Sequence, residues 1–339
     1  MDEQMAVKAA AGGAPSRMRR FRLGREFGVF VALVVLCVAL TLLNDRFLTP
    51  TNLLNIGRQV SLMGIMAVGM TFVLVSGEVD LSVGSTYGLC GIAVGVLLVA
   101  GYPLALAIAA GLVLGAGIGL INGVLSTYLR VPSLIATLGT LSMARGAALI
   151  LTDGKPVTVN ARSGVGEADL AMFEFLGQGK VLGIPMQLAF FIVIALAGWF
   201  LLSRTSFGFR IFAVGGSAKA ARVSGINVAS VKIWALTLMG TLAALAGTLS
   251  LAFLPSGQAG RMGLGLELDV IAATIVGGTT LAGGEGTILG TVLGVLIIGV
   301  LRNGLVLTGV SPFAQEFLIG LVIVVAVAID KWSTASKSN

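Results

Sequence analysis

Phe27–Leu43 reads FGVFVALVVLCVALTLL and Val60–Ser76 reads VSLMGIMAVGMTFVLVS. Neither run holds a charge, and a bilayer-spanning helix needs about 20 mostly apolar residues. Similar runs recur to the end of the chain. The 339 residues are 56% hydrophobic and only 11% charged, too much apolar surface for a soluble core. Backbone polar groups in lipid must be satisfied internally, which helices achieve. The expectation is an all-α polytopic membrane protein of about ten spans, near 27–43, 60–77, 81–100, 103–126, 132–152, 188–203, 231–253, 267–281, 285–301 and 313–329. The 48 glycines predict close helix packing and some short or broken helices. The eighth and ninth expected spans are Gly-rich and short.

Charge placement orients the chain. With the start inside and ten spans threaded, 14 Lys and Arg fall inside and 7 outside, with Arg145 within a span. That bias predicts both termini in the cytoplasm. Residues 1–26 read as a basic cytoplasmic arm, 27–330 as the membrane domain and 331–339 as a cytoplasmic tail. Within the domain, 153–187 is the external loop and 204–232 an internal one. The cations are spread over loops, which argues against nucleic acid as a partner. The first run lacks a small-x-small cleavage site and reads as a retained helix. Cys37 and Cys90 lie in apolar runs and there is no histidine, so neither a disulfide framework nor a His-bearing zinc site is supported. In the internal loop, Ser217–Ser224 predicts a short helix with Ser217 as N-cap and Gly225 just past its end.

Asn122-Gly123 precedes Pro132, and Asn303-Gly304 precedes Pro312. The two pairs fall on opposite sides of the membrane, as inverted repeats would place them. The most distinctive local feature is Ser76–Gly84, SGEVDLSVG. Glu78 and Asp80 sit between apolar runs with glycine on both sides. Such a stretch either breaks a helix at membrane depth, offering backbone groups to a polar solute, or forms a solvated turn with Ser82 capping the next helix. Arg145 either pairs with Glu78, Asp80 or Asp269 or reaches outward towards Asp153. Thr71, Asn122, Thr137, Thr140, Thr279 and Thr280 are candidates for lining a path or for hydrogen bonding between helices. Asp269 suits an outer mouth or a helix N-terminus.

Gly69–Ser85, GMTFVLVSGEVDLSVGS, closely resembles the signature of ribose-type sugar permeases of bacterial ABC importers. It departs at Glu78, where that family commonly has glycine or another uncharged residue. PSLIATLGTLSMAR at Pro132–Arg145, FAVGGSAKAARVSGIN at Phe212–Asn227 and VGGTTLAGGEGTILG at Val276–Gly290 resemble further blocks in the family's order.

The resemblance implies a permease subunit of the bacterial inner membrane. It would work by alternating access with cytoplasmic ATP-binding subunits, an external sugar-binding protein and a second permease copy or paralogue, within membrane lipid. It also implies that Phe212–Asn227 docks on the ATPase: Gly215 and Gly216 give a turn, Ala220 and Ala221 allow close approach, and Arg222 pairs with the partner, flanked by Ser224 and Gly225. Glu78, Asp80, Ser82 and Asn122, with Thr71, Arg145, Asp269 and Thr279, remain path or gating candidates. No GxxxxGK[ST] loop occurs, so ATP would be used by the partner and no cofactor is expected on this chain. The alternatives are a nucleoside or branched-chain amino-acid ABC permease, and an ion-coupled carrier using Glu78, Asp80 and Asp269.

Overall fold

Thr49 accepts from the Asn52 amide and Pro50 occupies the first helical turn, so a helix begins ten residues before the expected apolar run. The computed structural model describes residues 25–311, 313–315, 317–318, 320–321 and 324. In order the helices are α1 (Arg25–Leu43), α2 (Pro50–Val75), α3 (Val83–Val99), α4 (Leu104–Thr127), α5 (Ser133–Thr152), α6 (Glu167–Gln178), α7 (Met186–Arg204), α8 (Ser206–Gly216), α9 (Ala218–Val223), α10 (Val228–Phe253), α11 (Leu266–Val276) and α12 (Ile288–Leu307). Four two-residue strands pair as β1 (Val157–Thr158) with β4 (Ser256–Gly257), and β2 (Lys180–Val181) with β3 (Ile184–Pro185).

This is a polytopic all-α membrane fold, but the expected ten spans become a different set. Among the described residues seven helices are long and apolar enough to cross. Helix α3 has 17 residues and α11 only 11. At 1.5 Å per residue α11 is about 16 Å long, half of the ~30 Å hydrocarbon layer. The expected span 267–281 stops at Gly277 because Gly278, at φ +96°, leaves the helical region. The chain then continues as irregular backbone to Thr287. Its Gly277, Thr279 and Thr280 are buried, and non-helical backbone at membrane depth is tolerated where protein covers it. The tenth expected span lies largely outside the described residues, as do the terminal arm, up to its last two residues, and the tail.

The two 26-residue helices, α2 and α10, form the core and are the most buried of the spanning helices. Helix α10 packs on α3 and α4; α2 packs on α11 and α12. The α4–α10 crossing is a small-residue seam, since a Cβ at Gly240 would lie 2.1 Å from the Gly115 carbonyl oxygen. The peripheral helices turn apolar side chains outward, as at Val35, 62% exposed, and Ile150, 84% exposed, which is the surface that lipid covers. The link at 153–185 carries structure of its own. Helix α6 packs Gly177 against the Ala252 backbone, and β1 pairs with β4 beyond the end of α10.

Successive links alternate between two ends. The links at 76–82, 128–132, 205–227 and 277–287 share one end, called here the loop end. Those at 44–49, 100–103, 153–185 and 254–265 share the other.

Candidate functional site

Three backbone segments meet at the loop end. Helix α2 ends at Val75, and Gly77 turns the chain at φ +79°. The Val75 carbonyl accepts from the Gly284 amide at 2.9 Å. A Cβ at Gly215 would lie 1.7 Å from the Val75 carbonyl oxygen and 2.5 Å from the Gly284 nitrogen. Gly215 is therefore wedged between two other backbones. The expectation that Gly215 and Gly216 form a turn is corrected: both close α8, and the break falls at Ser217.

Beside this junction the link 76–82 is tied to three helices. Glu78 and Lys232, from the first turns of α10, form an ion pair with little exposure on either side. Asp80 accepts from both the Ser82 amide (2.8 Å) and the Ser82 hydroxyl (2.6 Å). Burial pushes the Asp80 carboxyl above the usual range, and the two Ser82 bonds partly oppose this. Asn122 on α4 donates to the Ser82 hydroxyl at 2.9 Å and accepts from Thr140 on α5 at 2.5 Å. The Leu81 amide donates to Thr137 and the Val79 amide to Ser133, both on α5. Ser82 stands at the N-cap position of α3 but makes no capping bond: its backbone is already helical and its hydroxyl oxygen accepts from Asn122 instead.

The structure thus brings together Glu78, Asp80, Ser82, Asn122, Thr137 and Thr140 in one cluster and separates Thr71, Arg145 and Asp269 from it. Thr71 lies 2.7 Å from Thr291, joining α2 to α12. Thr279 is buried with its hydroxyl unpartnered. Arg145 pairs with none of the expected carboxylates. Glu78 is held by Lys232 and Asp269 by Arg302 at 2.7 Å, while Asp153 is held by Lys155. The Arg145 Nη2 is buried without a partner.

At the opposite end a cavity of about 440 Å³ opens between α2, α7, α11 and α12. Its wall is mostly apolar, with Arg58, Gln59, Gln187, Asp269 and Arg302 supplying polar groups. That volume falls within the roughly 300–1,000 Å³ of small-molecule sites. The sequence reading found only Asp269 of these. Arg302 was visible as a lone cation inside LGVLIIGVLRNGLVL, and Arg58 beside Gln59 as a polar pair ahead of an apolar run.

The loop 205–227 is built by caps. Ser217 accepts from the Ala220 amide (3.2 Å), Gly225 follows α9 at φ +81°, and Asn227 caps α10. Ala221, expected to meet a partner, is instead 4% exposed and packed on the chain's own core. Lys219, Ala220, Arg222, Ser224 and Gly225 are exposed, and Val223 is 85% exposed. Residues 204–232 hold five cations and no Asp or Glu.

Residues 52–327 match the family described as "Branched-chain amino acid transport system / permease component". The chain is 43% identical over 311 residues to the ribose import permease protein RbsC of Bacillus subtilis (strain 168), covering 92% of this chain and 94% of that protein. The ribose import permease protein RbsC of Escherichia coli (strain K12) is 43% identical over 300 residues, 88% of this chain and 92% of that one. The L-arabinose transport system permease protein AraH of the same strain is 35% identical over 333 residues, 98% of each. No solved structure matches.

Proposed function

Because the chain belongs to this family of permease components, we propose that it is the membrane-spanning subunit of an ATP-driven importer of a simple sugar. It is a transport subunit rather than an enzyme, and ATP is hydrolysed on a separate partner. The observation that carries the reading is the similarity to ribose and arabinose permeases over nearly the whole chain. The loop end supports it, since α9, which follows the glycine junction in sequence, presents an exposed cationic and apolar surface.

In this reading the ATPase docks on the exposed side of α9, with Arg222 facing an acidic partner surface and Val223 entering an apolar one. Sugar is handed over by a binding protein at the cavity end. Amides and guanidinium groups there suit hydroxyls, and the apolar wall suits the C–H faces of a ring. A second permease copy faces α5, which among the described helices packs mainly on α3 and α4 and exposes Gly139 and Ser142 outward. These small and polar residues suit a helix contact or a path better than lipid. The loop end is cytoplasmic, and the membrane is the bacterial inner membrane.

Two experiments test this. Arg222→Glu with Val223→Asp removes the exposed charge and the exposed apolar side chain together. Retention of the ATPase on the purified permease should fall about tenfold or more, a change of roughly 1.4 kcal/mol or above. Insertion should be normal, since neither residue touches the core. Unchanged ATPase retention and sugar uptake would remove the loop from the docking role. For orientation, single cysteines at Gly166 and Ser217 are placed in a chain lacking Cys37 and Cys90. An impermeant thiol reagent applied from outside should label Gly166→Cys only. Labelling of Ser217→Cys alone would invert the topology.

A further inference from the structure

A second cavity, of about 360 Å³, lies at the loop end between the last turn of α7, helix α8 and the start of α10. Leu201, Phe207, Val231 and Leu238 form its apolar wall, and Arg210 and Trp234 stand at its mouth. Trp234 is 61% exposed. Arg210 is exposed and makes no ion pair among the described residues.

We infer that this groove is a binding site for an anionic glycerophospholipid, with the phosphate on Arg210 and an acyl chain along Val231 and Leu238. Depth supports that occupant. Trp199 sits five residues before the end of α7 and Trp234 six after the start of α10, so both lie about 8 Å inside the helix ends. Indoles at matched depth mark the headgroup boundary of a bilayer. The Arg204 guanidinium stacks over Trp199 at 5.7 Å, which places a second cation at the same level.

The groove therefore begins at headgroup depth with a free guanidinium and runs inward along aliphatic side chains. A phosphodiester with a hydrocarbon tail matches both parts. A soluble anion would match only the first, and basic pockets between helices on the cytoplasmic side suit acidic headgroups. A guanidinium holds a phosphate through two parallel hydrogen bonds. Helix α8 forms one wall of the groove and leads through Ser217 into α9, so a bound lipid braces the loop proposed to meet the ATPase. The inference rests on the proposed membrane placement of the loop end, and not on the identity of the cargo.

The test uses the full chain with Trp199→Phe and Trp332→Phe, leaving Trp234 as the single indole, in phosphatidylcholine vesicles without partner subunits. Brominated phosphatidylglycerol or brominated phosphatidylcholine is added as a contact quencher. Half-maximal quenching should need about fivefold less of the glycerol lipid. Arg210→Gln should bring the two curves together, and Arg210→Lys should keep part of the separation. Coincident curves in the parent would overturn the site. So would a separation that survives Arg210→Gln, or one abolished by inorganic phosphate, which would mark a soluble-anion site. No quenching by either lipid would mean that protein covers the groove, and would also overturn it. The cysteine labelling above reads the topology separately.

Discussion

Lys232→Met is expected to destabilise the purified chain by about 3 kcal/mol, the low end of the cost of removing one partner from a buried ion pair. The low end applies because the Lys232 side chain is 20% exposed against 9% for Glu78. The substitution strands the Glu78 carboxylate beside Asp80, whose own carboxylate is already engaged by Ser82. Glu78→Gln together with Lys232→Met removes both charges and should recover most of the loss, since two neutral groups carry no stranded charge. Unfolding in detergent of the two single variants and the double variant measures the coupling between the sites. If the loss in the double variant equals the sum of the two single losses, the pair contributes nothing as a pair. Sugar uptake should follow the same order, because the pair ties the link 76–82 to the first turns of α10.

Gly215→Ala should abolish most transport, with uptake falling tenfold or more, while Gly216→Ala should be nearly silent. A Cβ at Gly215 would sit 1.7 Å from one backbone atom and 2.5 Å from another, whereas a Cβ at Gly216 meets nothing within 4 Å. Backbone cannot swing aside as a flexible side chain can, so the three segments must separate. Overpacking a tight contact costs roughly 1–3 kcal/mol, and this one adjoins the loop proposed to meet the ATPase. Uptake in vesicles, set against the amount of inserted protein, separates a transport defect from a folding defect. Equal behaviour of the two variants would show that the glycine junction is not needed closed.

The spans were legible because apolar runs 17 to 26 residues long report lipid directly. The start of α2 was not, because four polar residues dilute the run: Asn52 bonds to Asn303, and Asn55, Arg58 and Gln59 line a cavity. The helix at Ser217 was legible from its cap and its terminal glycine, but a six-residue helix has no periodicity long enough to show which side is buried. Ala221 was therefore assigned to a partner when it faces the chain's own core. The halves of the loop-end cluster were visible at Glu78, Asp80 and Ser82. Lys232 was not linked to them, since 154 residues separate it from Glu78 and no local pattern reports such a pairing. Arg145 was expected to pair because an unpaired charge in a membrane is costly; among the described residues its buried Nη2 has no partner.

The link 76–82 is bonded to α4 through Asn122, to α5 through Thr137 and Ser133, and to α10 through Lys232. The glycine junction adds α8 and the 277–287 segment. A tripod of this kind has no soft leg. Force applied to α9 is shared at once among helices that lie far apart in sequence, and it tilts them together rather than bending any one. If the chain works by the alternating access expected from the family resemblance, opening is expected at the other end, where 153–185 links α5 to α7 and 254–265 links α10 to α11. On that expectation the chain is stiff where it is pushed and yields where it opens, as a lever does.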